Sequence, residues 1–261
     1  MKRPATMWCT RWPKAILLWV MLAPCWLACE APQARLMADA TVADTSLTRK
    51  ALMPPPPDTS ELERYLIGRQ LVNVQELEPG IRVDLLYATD RNFLHKVIYK
   101  GLSKCYLPCQ VAIKLCNAEY FLNQANPGYH LVVFDAVRPL HIQQQMWNEL
   151  DMPAWKKINY LANPADISLH NYGAAVDVGI ILENDSLLDM GTAFDSFNEL
   201  SQPKYEARFL ADGGLSQEAY NNRLILRRAM LRAGFSMMHT EWWHFNATNK
   251  TTAAARYGLI E

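Results

Sequence analysis

The chain has 261 residues, half of them apolar and a fifth charged, which suffices for one substantial core or two small ones in a globular protein. Its 26 basic and 26 acidic residues balance, but the first 28 positions carry Lys2, Arg3, Arg11 and Lys14 with no acid, so the remainder has an acidic excess. That balance offers no basic face for nucleic acid.

The N-terminus begins positively charged and continues into "AILLWVMLA" at residues 15–23, an apolar run too short to span a bilayer comfortably. Residues 1–28 read as an export signal. "CWLACEAP" follows, and in it small Ala28 precedes Cys29, which loosely resembles the box at which a cysteine is lipidated, although Trp26 fits that box poorly. Two readings stay open, an ordinary cleaved signal and a lipoprotein signal that tethers the chain to a membrane through Cys29. Either places the protein outside the cytoplasm, in the periplasm or anchored at a membrane. Residues 29–61 read as a tether, with "PPPP" at 54–57 favouring extended polyproline II, and the folded domain is expected over 62–261.

Within that domain, "IRVDLLYAT" alternates apolar and polar residues after the Pro79-Gly80 turn and predicts a strand. Behind Pro108, "CQVAIKLCNAEYFLNQ" repeats apolar side chains at Val111, Leu115, Ala118 and Leu122 and predicts a helix. Cys105 and Cys109 are the nearest candidates for a disulfide in an oxidising compartment; the alternative is that they and Cys116 pack as reduced thiols. "YHLVVF" is a compact β-branched strand ending at "DAVRP", and "HIQQQMWNEL" sets Ile142, Met146 and Trp147 on one helix side. "GAAVDVGIIL" leaves a turn at Gly173 as a strand. "EAYNNRLILRRAMLRA" is a helix stopped by Gly234, and "FSMMHTEWWHF" is a further strand. Strands and helices mix without regular βαβ alternation, which favours an α+β domain on a mostly antiparallel sheet with flanking helices.

The chemistry concentrates in "SLHNYGAAVD" and "EWWHF". His170 and Asp177 flank Gly173, Ala174 and Ala175, small residues that permit a tight turn, so two ligands can converge from the turn and the strand after it. His244 completes an N, O, N set that zinc accepts with a fourth position open to water. Glu241 is the natural base to take a proton from that water. It shares a face with His244 on a helical turn but not on a straight strand, so an irregular strand end is expected there. Singly, such residues are more often hydrogen-bonded core groups; together they point to a metal. Thr240 separates His239 from Glu241, so the helical motif H-E-x-x-H is absent and His239 is left out. Trp242 and Trp243 read as core or pocket wall, and His95, His130 and His141 as surface or loop groups. Arg138 follows a strand end and could stabilise an oxyanion, although its spacing alone favours an ion pair with Asp135.

These segments fit the S-x-H-x-x-G-x-A-x-D and E-x-x-H patterns of the zinc D-alanyl-D-alanine peptidases, and the chain resembles most closely the VanX-type D-Ala-D-Ala dipeptidases. "VDLLYATDRNF", "DAVRP", "DMGTAFDSF" and "NNRLILRRAMLRAGF" extend the resemblance over residues 71–246. It implies the α+β hedgehog/DD-peptidase fold and one Zn2+ per chain on His170, Asp177 and His244. It further implies Glu241 as catalytic base, Arg138 as transition-state stabiliser, Asp195 and Tyr87 at the substrate ammonium, and Ser168 in substrate binding. The expected substrate is a small D,D-dipeptide, split into two D-alanines. Ala136 and Val137 depart from the family's usual Gly or Ala followed by Tyr, and the export signal departs from the family's cytoplasmic role in vancomycin resistance. Cell-wall fragment turnover or dipeptide salvage outside the cytoplasmic membrane is the expectation. Alternatives are a D,D-carboxypeptidase or L-Ala-D-Glu peptidase acting on longer muropeptides, and a non-catalytic hedgehog-like zinc-binding domain. A non-haem iron oxygenase also uses two His and a carboxylate, but it brings His and acid one residue apart, unlike His170 and Asp177.

Overall fold

The computed structural model describes residues 59–261. The expected export signal at residues 1–28, Cys29 and the run of prolines lie outside the described residues. Ser60 opens the first helix, α1 (Glu61–Gly68), by accepting the amide of Glu63, a cap worth about 1 kcal/mol. Then come β1 (Val72–Asn73), the single-turn α2 (Val74–Leu77), β2 (Arg82–Val83) and β3 (Tyr106–Leu107). Helix α3 (Cys109–Ala125) is followed by β4 (Tyr129–Asp135), α4 (Leu140–Glu149), the short α5 (Ala154–Lys157) and β5 (Ala175–Leu182). The chain ends with α6 (Glu206–Ala211), α7 (Gln217–Arg232), β6 (Ser236–Met237), β7 (His244–Asn246) and α8 (Lys250–Arg256).

Five strands form the main sheet in the order β2-β4-β5-β7-β6, and β1 pairs with β3 apart from it. Only β2 with β4 is parallel; β4 with β5, β5 with β7 and β6 with β7 are antiparallel. This is the mostly antiparallel α+β arrangement that the sequence predicts. Strand β5 lies in the middle and is buried almost end to end, and apart from Asp177 its run AVDVGIIL is apolar on both faces. Gly179 marks its closest packing, because a Cβ there would lie 2.8 Å from the Phe134 ring. On α3, Val111, Leu115, Ala118 and Leu122 are buried as their spacing predicts.

Two predicted strands are shorter than expected. In "IRVDLLYAT" only Arg82 and Val83 pair, and Leu86–Ala88 forms a 3-10 turn. The Asn92 side chain donates to the carbonyls of Leu86, Thr89 and Lys96, supplying partners that a strand neighbour would otherwise give. "FSMMHTEWWHF" is a hairpin, with β6 and β7 in antiparallel register and residues 238–243 looping between them. Glu241 therefore sits in a loop rather than at a strand end. His130 is not a loop group either. It lies on β4 with Nδ1 2.6 Å from the buried Glu119 carboxylate. His95, His141 and His239 are exposed. Cys105 is a buried free thiol, so the bond to Cys109 does not form, and burial pushes the Cys116 thiol up to about 12.

Candidate metal centre and active site

The turn before β5 is built around its own polar groups. Ser168 Oγ accepts the amide of His170 at 3.2 Å, and the Ser168 amide donates to Asn171 Oδ1 at 2.7 Å, a reciprocal cap on the 3-10 turn Leu169–Tyr172. Gly173 ends that turn in the left-handed region at φ 62°, where a Cβ would collide with Pro108 at 2.7 Å and Val137 at 2.8 Å. Both its conformation and its surroundings demand glycine. The chain then enters β5, where Asp177 lies opposite His244 of β7.

His170, Asp177 and His244 are all buried and converge. His170 Nε2 lies 3.2 Å from His244 Nδ1 and 3.5 Å from Asp177 Oδ1, and His244 Nδ1 lies 3.0 Å from Asp177 Oδ1. Their outer atoms are also engaged. His170 Nδ1 donates to the carbonyl of Ala136 at 2.7 Å, and His244 Nε2 to Asn246 Oδ1 at 2.8 Å. With those nitrogens carrying the hydrogens of neutral rings, the inner atoms are three acceptors facing one another. Acceptors this close need a positive centre between them, and the N, O, N donors fit a divalent cation. Burial alone would raise the Asp177 carboxyl, but the charge and hydrogen bonds of the two imidazoles hold it far below the usual carboxylate range.

A proton on His244 competes for the same place. Burial pulls that imidazole down, but the hydrogen bond and charge of Asp177, with Glu241 and Asn246, push it up to about 9. Below that pH the ring holds a proton that a cation must displace. Metal affinity is therefore expected to rise about tenfold per pH unit through the neutral range and to level off above about 9. Competition titration of the metal against a chelator at several pH values checks this.

The other candidates surround the centre. A cavity of about 330 Å³ is lined by His170, Asp177 and His244 together with Tyr87, Arg138, Ser168, Asp195 and Glu241, so all eight residues singled out in the sequence meet there. Trp243 forms part of its wall. Glu241 Oε2 lies 3.8 Å from His244 Nδ1, and burial first of all raises its carboxyl above the ordinary value. Arg138 makes the ion pair that its spacing suggests, with Nε 3.0 Å and Nη2 2.5 Å from Asp135 Oδ2, and still reaches the cavity. Its Nη2 is 3.9 Å from Asp177 Oδ2, and its Cζ lies 5.3 Å from the centroid of the Tyr87 ring. Burial opposes the guanidinium charge and Asp135 more than restores it.

Tyr87 donates its hydroxyl to both carboxylate oxygens of Asp195, at 3.2 and 3.0 Å. Asp195 itself adopts φ 59°, a costly conformation for a residue with a Cβ. Phe194 holds it there, packed edge-on against Tyr87 and Trp243 with centroids 6.1 and 5.4 Å away. The loop that carries both is pinned from outside. Trp242 Nε1 donates to Thr192 Oγ1 at 2.8 Å, and Arg223 of α7 donates to the carbonyls of Met190 and Leu200. Burial and then the Asp177 charge raise the Asp195 carboxyl well above its ordinary value, and a cation brought beside it would favour its ionised form.

Four further residues, Asp135, Tyr99, Asn171 and Asn246, complete the site and were not among the sequence candidates. Asp135 is fully buried, accepts Tyr99 Oη at 2.6 Å and anchors Arg138. Asn171 Nδ2 donates to the Arg138 carbonyl at 2.7 Å, while the Arg138 amide donates to the His170 carbonyl at 3.1 Å, so the two functional segments brace each other. Asn246 is the fourth. Its signal lay in the sequence, two residues beyond His244, where a strand returns to the same face.

A buried His–Asp–His centre on an α+β sheet, with a glutamate and an arginine beside it, defines the chain as a metal-dependent enzyme. A family model described as D-ala-D-ala dipeptidase, Peptidase M15, matches residues 68–258, and the chain belongs to this metallopeptidase family. It is 29% identical over 191 residues to the D-alanyl-D-alanine dipeptidase of Escherichia coli (strain K12), covering 73% of this chain and 89% of the relative. It is 28% identical over 188 residues to that of Enterococcus faecium, covering 66% and 88%.

Proposed function

We propose that this enzyme hydrolyses D-alanyl-D-alanine to two D-alanines, with one zinc ion held by His170, Asp177 and His244. Membership of the family supports the substrate. Zinc is supported by the separations of 3.2, 3.5 and 3.0 Å among the three ligand atoms, because ligands about 2.0–2.1 Å from a tetrahedral ion stand about 3.3 Å apart. When bound, the ion supplies Lewis acidity toward the scissile carbonyl and the attacking water.

The chain's own residues do the rest. Glu241 takes a proton from the attacking water and returns it to the departing amine as the C–N bond breaks, leaving a carboxylic acid on one alanine and an amine on the other. Arg138, fixed by Asp135, meets the negative charge that grows on the carbonyl oxygen. Asp195 and Tyr87 bind the substrate ammonium, and Ser168 assists at the same cavity while supporting the His170 turn. The single observation that carries this reading is the convergence of the ligand triad, Glu241, Arg138 and the Asp195–Tyr87 pair on one cavity. At about 330 Å³ it stands at the small end of ligand pockets and suits a dipeptide.

The acid-free, basic start and the apolar run at residues 15–23 support export, with a membrane tether through Cys29 if that cysteine is lipidated. The enzyme then acts on cell-wall fragments or salvaged dipeptide outside the cytoplasmic membrane. Turnover of free D-Ala-D-Ala beside an N-acylated D-Ala-D-Ala peptide, with L,L and D,L dipeptides, tests the substrate. Blocking the ammonium is expected to raise KM at least tenfold, through loss of the Asp195 contact. Preference for the blocked peptide would identify a D,D-carboxypeptidase instead.

A further inference from the structure

We infer that Asn246 is the positioning residue that commits His244 to bind the metal through Nδ1, and that it thereby sets the metal affinity of the site. A neutral imidazole carries one hydrogen, and the partner of one nitrogen decides which atom is left as a ligand. For His170 that partner is a backbone carbonyl, of Ala136, which no side-chain change removes. For His244 it is the amide oxygen of Asn246, 2.8 Å from Nε2. An acceptor at Nε2 draws the hydrogen there and leaves the Nδ1 lone pair toward Asp177 Oδ1 and His170 Nε2.

The acceptor is held in place by the sheet. Residues 244 and 246 share a face of β7, and Asn246 is paired with Ala175 on one side and Ser236 on the other. The next residue is fixed as well, since the Ala247 amide donates to the Ala174 carbonyl at 2.8 Å.

The inference rests on the metal centre proposed above, but its test reads zinc alone. Zinc affinity of the full chain is measured by chelator competition for the wild type, Asn246→Ala and Asn246→Asp, and the His244 ring hydrogens are followed by nitrogen-resolved NMR in the zinc-loaded protein. Asn246→Ala is expected to weaken zinc binding about 10–100-fold and to abolish the protected Nε2–H signal of His244. Asn246→Asp, which keeps an acceptor, is expected to hold both affinity and signal close to wild type. Zinc affinity within threefold of wild type in Asn246→Ala, or equal weakening in both variants, would overturn the inference. A wild type that binds zinc tightly yet leaves D-Ala-D-Ala intact refutes the substrate assignment and leaves this one standing.

Discussion

Glu241→Gln is expected to lower kcat for D-Ala-D-Ala by about 10²–10⁴-fold while zinc content and KM stay near wild type. The substitution keeps the side chain's size and its place in the 238–243 loop but removes the ability to accept a proton. Glu241 is the carboxylate of the cavity that neither belongs to the candidate ligand triad nor accepts the Tyr87 hydroxyl. Asp177 belongs to the candidate ligand triad, and Asp195 accepts the Tyr87 hydroxyl. Its Oε2 lies close enough to a ligand atom, 3.8 Å from His244 Nδ1, to reach a water held at the metal. Steady-state kinetics with metal analysis of the same preparation checks the result. Wild-type turnover in this variant would mean that the base lies elsewhere.

Arg138→Lys is expected to lower kcat by about 10²-fold or more, on the scale of losing one oxyanion donor. Arginine has a planar fork that can hold Asp135 through Nε and Nη2 together and still face the cavity. Lysine is a point charge on a flexible stem and cannot do both. Lysine is a better probe than alanine because Asp135 is fully buried; deleting its cation leaves an uncompensated charge, which costs about 3–5 kcal/mol and confuses unfolding with lost catalysis. The discriminating measurement is kcat together with thermal stability. A large loss in kcat with little change in melting temperature assigns Arg138 to the transition state, whereas parallel losses assign it to holding Asp135.

The convergence of the candidate ligands was legible because each is announced locally. His170 and Asp177 bracket a turn whose glycine and alanines permit a tight bend and close approach, and Glu241 stands three residues before His244. Arg138 shows the limit of spacing. The sequence offered either an ion pair with Asp135 or a place in the site, and the structure has both, since the pair is what aims the side chain. The strand over "IRVDLLYAT" was overestimated because alternation reports facing, not pairing; side-chain donors from Asn92 closed the backbone into a turn instead. The loop between β5 and α6 was illegible as structure. Its shape depends on Trp242 and Arg223, 50 and 33 residues from the atoms they bind, and no local pattern encodes contacts at that separation.

Asp135, Asp177 and His244 occupy one transverse row across β4, β5 and β7. The margin of the sheet beyond that row is slight, as β7 has three residues and β6 two. Main-chain pairing over so short a distance holds weakly. A divalent ion held by Asp177 and His244 would tie β5 to β7 like a rivet at this seam. Demetallation would thus loosen the hairpin that carries Glu241, so that the enzyme loses its proton acceptor's footing in the same event in which it loses its electrophile.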